Sequence, residues 1–475
     1  MNLQDFISQE DSRALLERIF SKGVRVIYED ALQMLLNERE VLEKLLQVKD
    51  LPEEITGKFL EEFVEKPEKV EEEKKSEKPE ETFSVIKNYS SWNSATPESF
   101  FSNFYSRYAK LSQLLNGRPQ LKGLASIAQL SRVRGRERVS LIGMVCDIRK
   151  MKDGRKIIEV EDPTGTISVL VSPTVKGADS IVLDDVIGIS GQAGRGIFFA
   201  DEIVYPDIPI SEGWPQNGAS DVFIISDIHI GSKKFNEEIW NSFAEYINKE
   251  KRIKYLLIAG DLVDGVGIYQ GQERELELLT AEEQYAYLSE LIRKIRDDIL
   301  IVAIPGNHDP TRDSEPQPRV PEEFAHPLYK IRNFVMLSNP AWIKIEGITF
   351  LIYHGTSLDA LIDSIESIRN VAYKNPSKAQ VELLRKRHLS PIYGRNRIFP
   401  DREDFLIIDP VPNVFVSGHV HTTSIGTYRG VRLISAGTFQ ERTAFQEKLG
   451  HIPTPGKFVR LELSTGNMKV IDFSR

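Results

Sequence analysis

The 475-residue chain has a single cysteine, no apolar run of membrane-spanning length and no surplus of cations. The lone Cys146 excludes an internal disulfide framework and fits a reducing compartment. Its β-rich neighbourhood predicts a buried small hydrophobe and not a nucleophile. A spanning helix needs roughly 20 consecutive apolar residues. The opening MNLQDFISQEDSRALLERIF carries acids in its first turn and lacks the basic start and apolar centre of a signal peptide. These absences predict a soluble, cytoplasmic protein. With 61 Lys and Arg against 70 Asp and Glu, the formal charge is −9, which excludes a uniformly basic coat for nucleic acid. Residues 61–81 hold ten acidic and five basic residues, so this stretch carries −5 and the rest of the chain only −4. Local basic surface therefore remains possible.

What is present is enough apolar residue, 41%, to build more than one core. Residues 1–60 space Phe6, Leu15, Leu16, Ile19, Leu32, Leu35, Leu36, Leu42 and Leu45 by threes and fours, which predicts a small helical N-terminal module. Residues 61–85 are charged, proline-bearing and almost without apolar content, and read as an acidic flexible linker. Residues 86–135 read as a helical or irregular connector. Over 136–206 five short β-rich runs, separated by turn signals at Asp153-Gly154, Pro163-Thr164-Gly165 and Gly194 to Gly196, predict a small barrel. The pattern looks like an OB-fold, used either to contact nucleic acid or simply to pack. From 207 to 475 strands and helices alternate, as in a layered α/β domain.

The chemistry sits at the ends of buried-type runs in that last region. VFIIS ends in Ser226-Asp227-Ile228-His229, YLLIA in Gly260-Asp261 with Asp264 beyond, and LIVAI in Pro305-Gly306-Asn307-His308-Asp309. The next two runs end in His354-Gly355 and Gly418-His419-Val420-His421. Strand ends fix ligands on a rigid scaffold with one open face. The glycines at 260, 306 and 418 are expected to let the backbone turn sharply there. Carboxylate, imidazole and amide oxygen together suit Mn, Fe or Zn, with Mg an alternative. A lone strand-end histidine is usually a structural hydrogen-bonding residue. Here five of eight histidines fall in one ordered series, while His326, His388 and His451 lie outside it and read as surface or locally bonded.

The series DxH, GDxxD, GNHD, H and GHxH is similar to the calcineurin-like metallophosphoesterase superfamily, and every motif position is filled. That resemblance implies a layered α/β sandwich holding two divalent metal ions. Asp227, His229 and His421 would serve one ion, Asn307, His354 and His419 the other, and Asp261 would bridge them. It implies hydrolysis of a phosphate ester by a water activated between the ions. His308 is the candidate to stabilise the transition state or protonate the leaving oxygen. Asp264 is the candidate to orient His308, against a plain loop-capping role.

The insertion between His354 and His419 carries Arg385, Lys386, Arg387, Arg395 and Arg397 within thirteen residues, with Tyr393 and Phe399 beside them. Such a cluster suits either a DNA backbone or a charged helix end paired with acids such as Glu382 and Asp401. The layout of helical module, acidic tether, barrel and phosphoesterase resembles the small subunits of archaeal family-D DNA polymerases. RKRHLSPIYG, GHVHT and AGTFQERTAFQEKLGHIPTPGKFVRLEL carry that likeness most specifically. It implies a 3′–5′ proofreading exonuclease acting on a single-stranded or mispaired DNA 3′ end, in a heterodimer or larger complex with a large subunit that performs synthesis. It also implies docking through the barrel and the C-terminal tail. The residues alone leave open a stand-alone repair nuclease, a catalytically silent scaffold, and a phosphatase acting on protein or nucleotide.

Overall fold

The computed structural model describes residues 82–475, apart from 92–93, 131–137, 212, 217 and 475, and a few positions between Ile19 and Leu60. Val26–Ile27 and Glu54–Ile55 pair in parallel, so the N-terminal module expected to be helical contains a short β element. Ile19, Leu45 and Leu60 are helical and buried and Val24 is buried, while the rest of that module and residues 61–81 of the linker lie outside the described residues. Residues 1–78 and 79–475 form two separate compact units. The second holds the barrel and all five strand-end motifs.

The larger part of this second unit stacks two six-stranded sheets. In the first, the order is Phe334–Met336, Leu300–Ile304, Ile253–Ala259, Asp221–Ile225, Lys457–Glu462 and Met468–Asp472. The first four strands run parallel, and Lys457–Glu462 pairs antiparallel to both of its neighbours. The second runs Ser424–Tyr428, Val431–Ser435, Val414–Ser417, Ile348–Ile352, Ala341–Ile345 and Phe83–Asn88. Successive side chains of a strand point to opposite faces. Val222 and Ile224 accordingly meet Ile343, Phe350, Ile352 and Val416 between the sheets. Phe223 and Ile225 pack outward against Trp240 and Phe243 of the helix Glu237–Lys249 and Leu288 of the helix Ala281–Ile292. On the outer face of the second sheet, Leu351 and Phe415 meet Leu361 and Leu383 from the helices Ser357–Ser364 and Ser377–Lys386. A strand covered on both faces has no polar side, which is why these runs read as continuously apolar and not alternating.

Phe83–Asn88, which the sequence divides between linker and connector, is instead the edge strand of the second sheet, antiparallel to Ala341–Ile345. Its short length and the exposure of Val85 and Ile86 hid it among polar neighbours. The helix Pro97–Leu115 comes next, opened by a capping box between Thr96 and Ser99.

Residues 138–204 form a closed five-stranded barrel, in the order Arg138–Lys150, Lys156–Asp162, Gly165–Val171, Ile197–Val204 and Val186–Ala193. One pair, Gly165–Val171 with Ile197–Val204, is parallel and the rest are antiparallel. Leu141, Val145, Ile158, Val169, Ile187, Ile189 and Phe198 fill its interior. Cys146, expected inside, is exposed: the register with Lys156–Asp162 shifts between Val145 and Asp147, and this irregularity turns Cys146 outward. Among the described residues no helix is long and apolar enough to cross a membrane.

Candidate metal centre

The five strand-end loops expected to carry the chemistry meet at one edge of the sandwich. Asp227, His229 and Asp261 come from the first sheet, with Asn307 and His308 beyond its strand Leu300–Ile304. His354, His419 and His421 come from the second. Asp227, His229 and His421 offer ligand atoms within 4.8 Å of one another, as do Asp227, Asp261 and His354. Asn307 Oδ1 lies 3.0 Å from both His354 Nε2 and His419 Nδ1. Asp261 Oδ2 stands between the two histidine groups, 3.6 Å from His229 Nε2 and 3.4 Å from His354 Nε2. All seven expected ligands are thus brought together.

Their backbone is held under strain. Asp227, His229, Asp261, His419 and His421 all adopt left-handed φ, between 49° and 68°. Such conformations cost of order 1–3 kcal/mol each in non-glycine residues and persist only where the surroundings enforce them. The adjacent glycines serve mainly as close approaches. A Cβ on Gly306 would collide with Asp261 Oδ1, and one on Gly418 with the Ser226 hydroxyl. Of the three, only Gly260 needs a positive φ, at 96°, so the expected sharp turn holds there alone.

The donor set fits a cation. A neutral imidazole has one hydrogen, and an acceptor on the outer nitrogen draws it outward, leaving a lone pair facing in. His229 Nδ1 lies 2.9 Å from Asp264 Oδ1, His354 Nδ1 2.8 Å from the Ala259 carbonyl, and His419 Nε2 3.0 Å from Asp359 Oδ2. Inward, His229 Nε2 and His421 Nε2 face each other at 3.0 Å beside two buried carboxylates. Electrostatics point the same way. Burial pulls the His229 imidazole down, but Asp264, Asp261 and Asp227 outweigh it and lift it to about 9. His354 is lifted against burial to about 10, chiefly by Asp261. The pocket calls for positive charge in its centre.

His308 is half-buried, and its Nδ1 lies 2.7 Å from a main-chain carbonyl, that of Asp264. Nε2 has no partner among the described residues. The expected orienting contact therefore exists through the backbone of Asp264, while its carboxylate holds His229 and takes a bond from Gln440 Nε2 at 3.0 Å. Asp309, beside His308, is a second organiser. It accepts from Gly306 N at 2.7 Å, Leu262 N at 3.2 Å and the Tyr285 hydroxyl at 2.6 Å, tying two of the loops together.

The basic insertion divides. Lys386 is buried, its Nζ 2.6 Å from both Asp185 Oδ2 and the Ser180 carbonyl on the barrel side. Arg385 pairs with Glu382 at 2.6 Å, and buried Arg387 donates to the Ile408 carbonyl at 2.7 Å. These three are structural struts and not a DNA surface, which corrects the expectation for them: an amphipathic helix turns its last residues onto the barrel. Arg395 and Arg397 remain exposed and line, with Asn307, a cavity of about 370 Å³. His388 is locally bonded, to Asp404 at 2.9 Å, and His326 to Glu322 at 3.2 Å. His451, read as surface or locally bonded, lines the cavity over the metal centre together with Tyr373. Asp359 and Tyr373 were missed because no motif marks them, and Gln440 and His451 because the tail stretch that contains them has no metal-ligand pattern; all four arrive through tertiary packing.

A two-sheet sandwich with this ligand series defines a calcineurin-like phosphoesterase, and the family model of that description matches residues 221–423. Domains of this class work with divalent metal ions. The chain is 42% identical over 409 residues to the DNA polymerase II small subunit of Methanothermobacter thermautotrophicus, covering 82% of this chain and 83% of that protein. The small subunit from Archaeoglobus fulgidus is 38% identical over 371 residues, 76% of this chain and 74% of its own. That of Thermoplasma acidophilum is 35% identical across 98% of this chain and 94% of its own. The chain belongs to the family of DNA polymerase II small subunits.

Proposed function

We propose that this chain is the 3′–5′ exonuclease of a two-subunit DNA polymerase, removing mispaired nucleotides while a large partner subunit synthesises DNA in the cytoplasm. The observation that carries the reading is the convergence of seven donors beside an open cavity, with acceptors on the outer nitrogens of His229, His354 and His419. Asp227, His229 and His421 would hold one divalent ion, Asn307, His354 and His419 a second, and Asp261 both; Mn, Fe or Zn suit the donors, with Mg an alternative. Bound ions supply Lewis-acid polarisation of the phosphate and acidify a water for in-line attack. His308 lines the same cavity with its Nδ1 held by the Asp264 carbonyl, and burial lowers its imidazole, so Nε2 faces in with a lone pair that can relay a proton to the leaving 3′ oxygen. Arg395 and Arg397, across Asn307, offer charge to the adjoining phosphates. The barrel is read as an OB-fold from its strand order and single parallel pair. With the C-terminal tail, it supplies the docking face for the large subunit. The domain limits proposed are 1–60, 61–85, 86–135, 136–206 and 207–475, with the strand Phe83–Asn88 reassigned to the last of these.

The test is a Mn-dependent exonuclease assay on a 5′-labelled primer, matched against mispaired. Wild type should shorten the mispaired primer faster, and Asp261→Ala should lose roughly a hundredfold or more in rate. No cleavage by wild type, alone or with its large subunit, overturns the reading.

A further inference from the structure

The cavity over the metal centre has a volume of about 640 Å³, and besides the metal-side histidines it is lined by Tyr269, Tyr373 and His451. Tyr373 and His451 stack, with ring centroids 4.2 Å apart and planes inclined by 29°. The tyrosine is fixed to the site itself: its hydroxyl donates to Asp359 Oδ1 at 3.0 Å, and the other oxygen of that carboxylate lies 3.0 Å from His419 Nε2. Both rings are half-buried, so each has surface left to cover. Asp359 and Asp363 also line this cavity. Arg395 and Arg397, the latter paired with Asp313 at 2.6 Å, lie on the adjoining cavity, which shares Asn307 and also carries Glu315. The aromatic pair and the metal-side donors line different parts of one cavity.

We propose that the Tyr373–His451 pair is a stacking platform for the unpaired terminal nucleobase of a DNA 3′ end, set one carboxylate and one imidazole away from the metals. Every base has a π-face, so the platform accepts any of the four. A base still paired within a duplex is stacked on its neighbour and cannot use it. The platform thus selects frayed or mispaired ends by their freedom to unstack. His451 reaches it because the loop after the helix Ala444–Leu449 folds back on the histidine motif, with Thr454 N donating to the His421 carbonyl at 2.8 Å.

This inference rests on the nuclease reading, and two measurements on the full chain separate their failures. The first is the ratio of kcat/KM for single-stranded DNA to that for bis(4-nitrophenyl) phosphate, an ester that reaches the metals with no nucleobase. Tyr373→Ala and His451→Ala should lower that ratio about ten- to a hundredfold, mostly through KM for DNA. Tyr373→Phe keeps the ring, loses the bond to Asp359 and should retain the ratio. The second is fluorescence of a single strand ending in 3′ 2-aminopurine, which stacking quenches whether or not hydrolysis occurs. Quenching by wild type that is lost in both alanine variants supports the platform even if wild type cleaves neither substrate, a result that would sink only the nuclease reading. Unquenched emission from the strand bound to wild type, or a ratio unchanged in both alanine variants, overturns the platform.

Discussion

Asp264 does two jobs with two different oxygens. Its main-chain carbonyl accepts from His308 Nδ1, and its carboxylate accepts from His229 Nδ1. Substitutions separate them. Asp264→Asn keeps the carbonyl but weakens the hold on His229, so metal affinity should fall about 10- to 100-fold, read as the Mn concentration giving half-maximal rate. His308→Ala leaves the ligands intact and should lower kcat at saturating Mn by about 100-fold or more. An Asn variant that instead matches the Ala variant at saturating Mn would count against this division of labour. The seven inward-facing donors were legible because each follows a buried strand within two to four residues, so local pattern and site coincide. Asp264 was legible as a residue but not as a contact: sequence cannot say which of its oxygens meets which histidine. Asp359 carried no signal, since its partner His419 lies 60 residues away and only the packing of Ser357–Ser364 unites them.

The helix Ser377–Lys386 shows why charge clusters mislead. Arg385, Lys386 and Arg387 read either as a patch for phosphates or as a helix end paired with acids, and the second holds: Arg385 meets Glu382, and Lys386 and Asp185, 1% and 2% exposed, lie 2.6 Å apart. Composition reports charge, and burial decides its use. Burial raises the Asp185 carboxyl, and Lys386 offsets part of that rise. Lys386→Met should therefore destabilise the fold by about 3–5 kcal/mol, because it leaves a buried charge without its partner. Adding Asp185→Asn should recover part of the loss, since no buried charge is then left. Urea midpoints of the single and double variants check this; a double variant no more stable than Lys386→Met would show that packing and not charge is at stake. The five β-rich runs of the barrel were legible from turn chemistry. Phe83–Asn88 was not, because a short edge strand half-exposed to solvent resembles the polar segments around it.

At the scale of the whole second unit, the helix Pro97–Leu115 is locked to the phosphoesterase region through one carboxylate. Asp404 Oδ2 lies 2.7 Å from Arg107 Nε and 2.9 Å from His388 Nε2, and all three side chains are about 1% exposed. Burial, and then Arg107, lowers the His388 imidazole, so in the folded chain it stays neutral at pH values where the unfolded chain takes up a proton. A group that binds its proton more readily when unfolded makes stability rise with pH. The contribution of His388 is complete above the ordinary imidazole value of about 6.5 and declines below it, by at most about 1.4 kcal/mol per pH unit. Asp404 adds a second window. Burial would raise it, but His388 and Arg107 outweigh burial and hold it well below the carboxylate range. Its contribution is present above about pH 3.9 and is lost as pH falls further toward the folded value. Acid should thus loosen the lock in two stages, His388 first. His229, His354 and His419 at the metal centre are shifted in the opposite sense, so the comparison is made between variants and not within one protein. With saturating Mn, the loss of Tm between pH 7 and pH 5 should be smaller in His388→Gln than in wild type, because glutamine has no proton to take up on unfolding. Equal losses in the two proteins would place the acid sensitivity elsewhere.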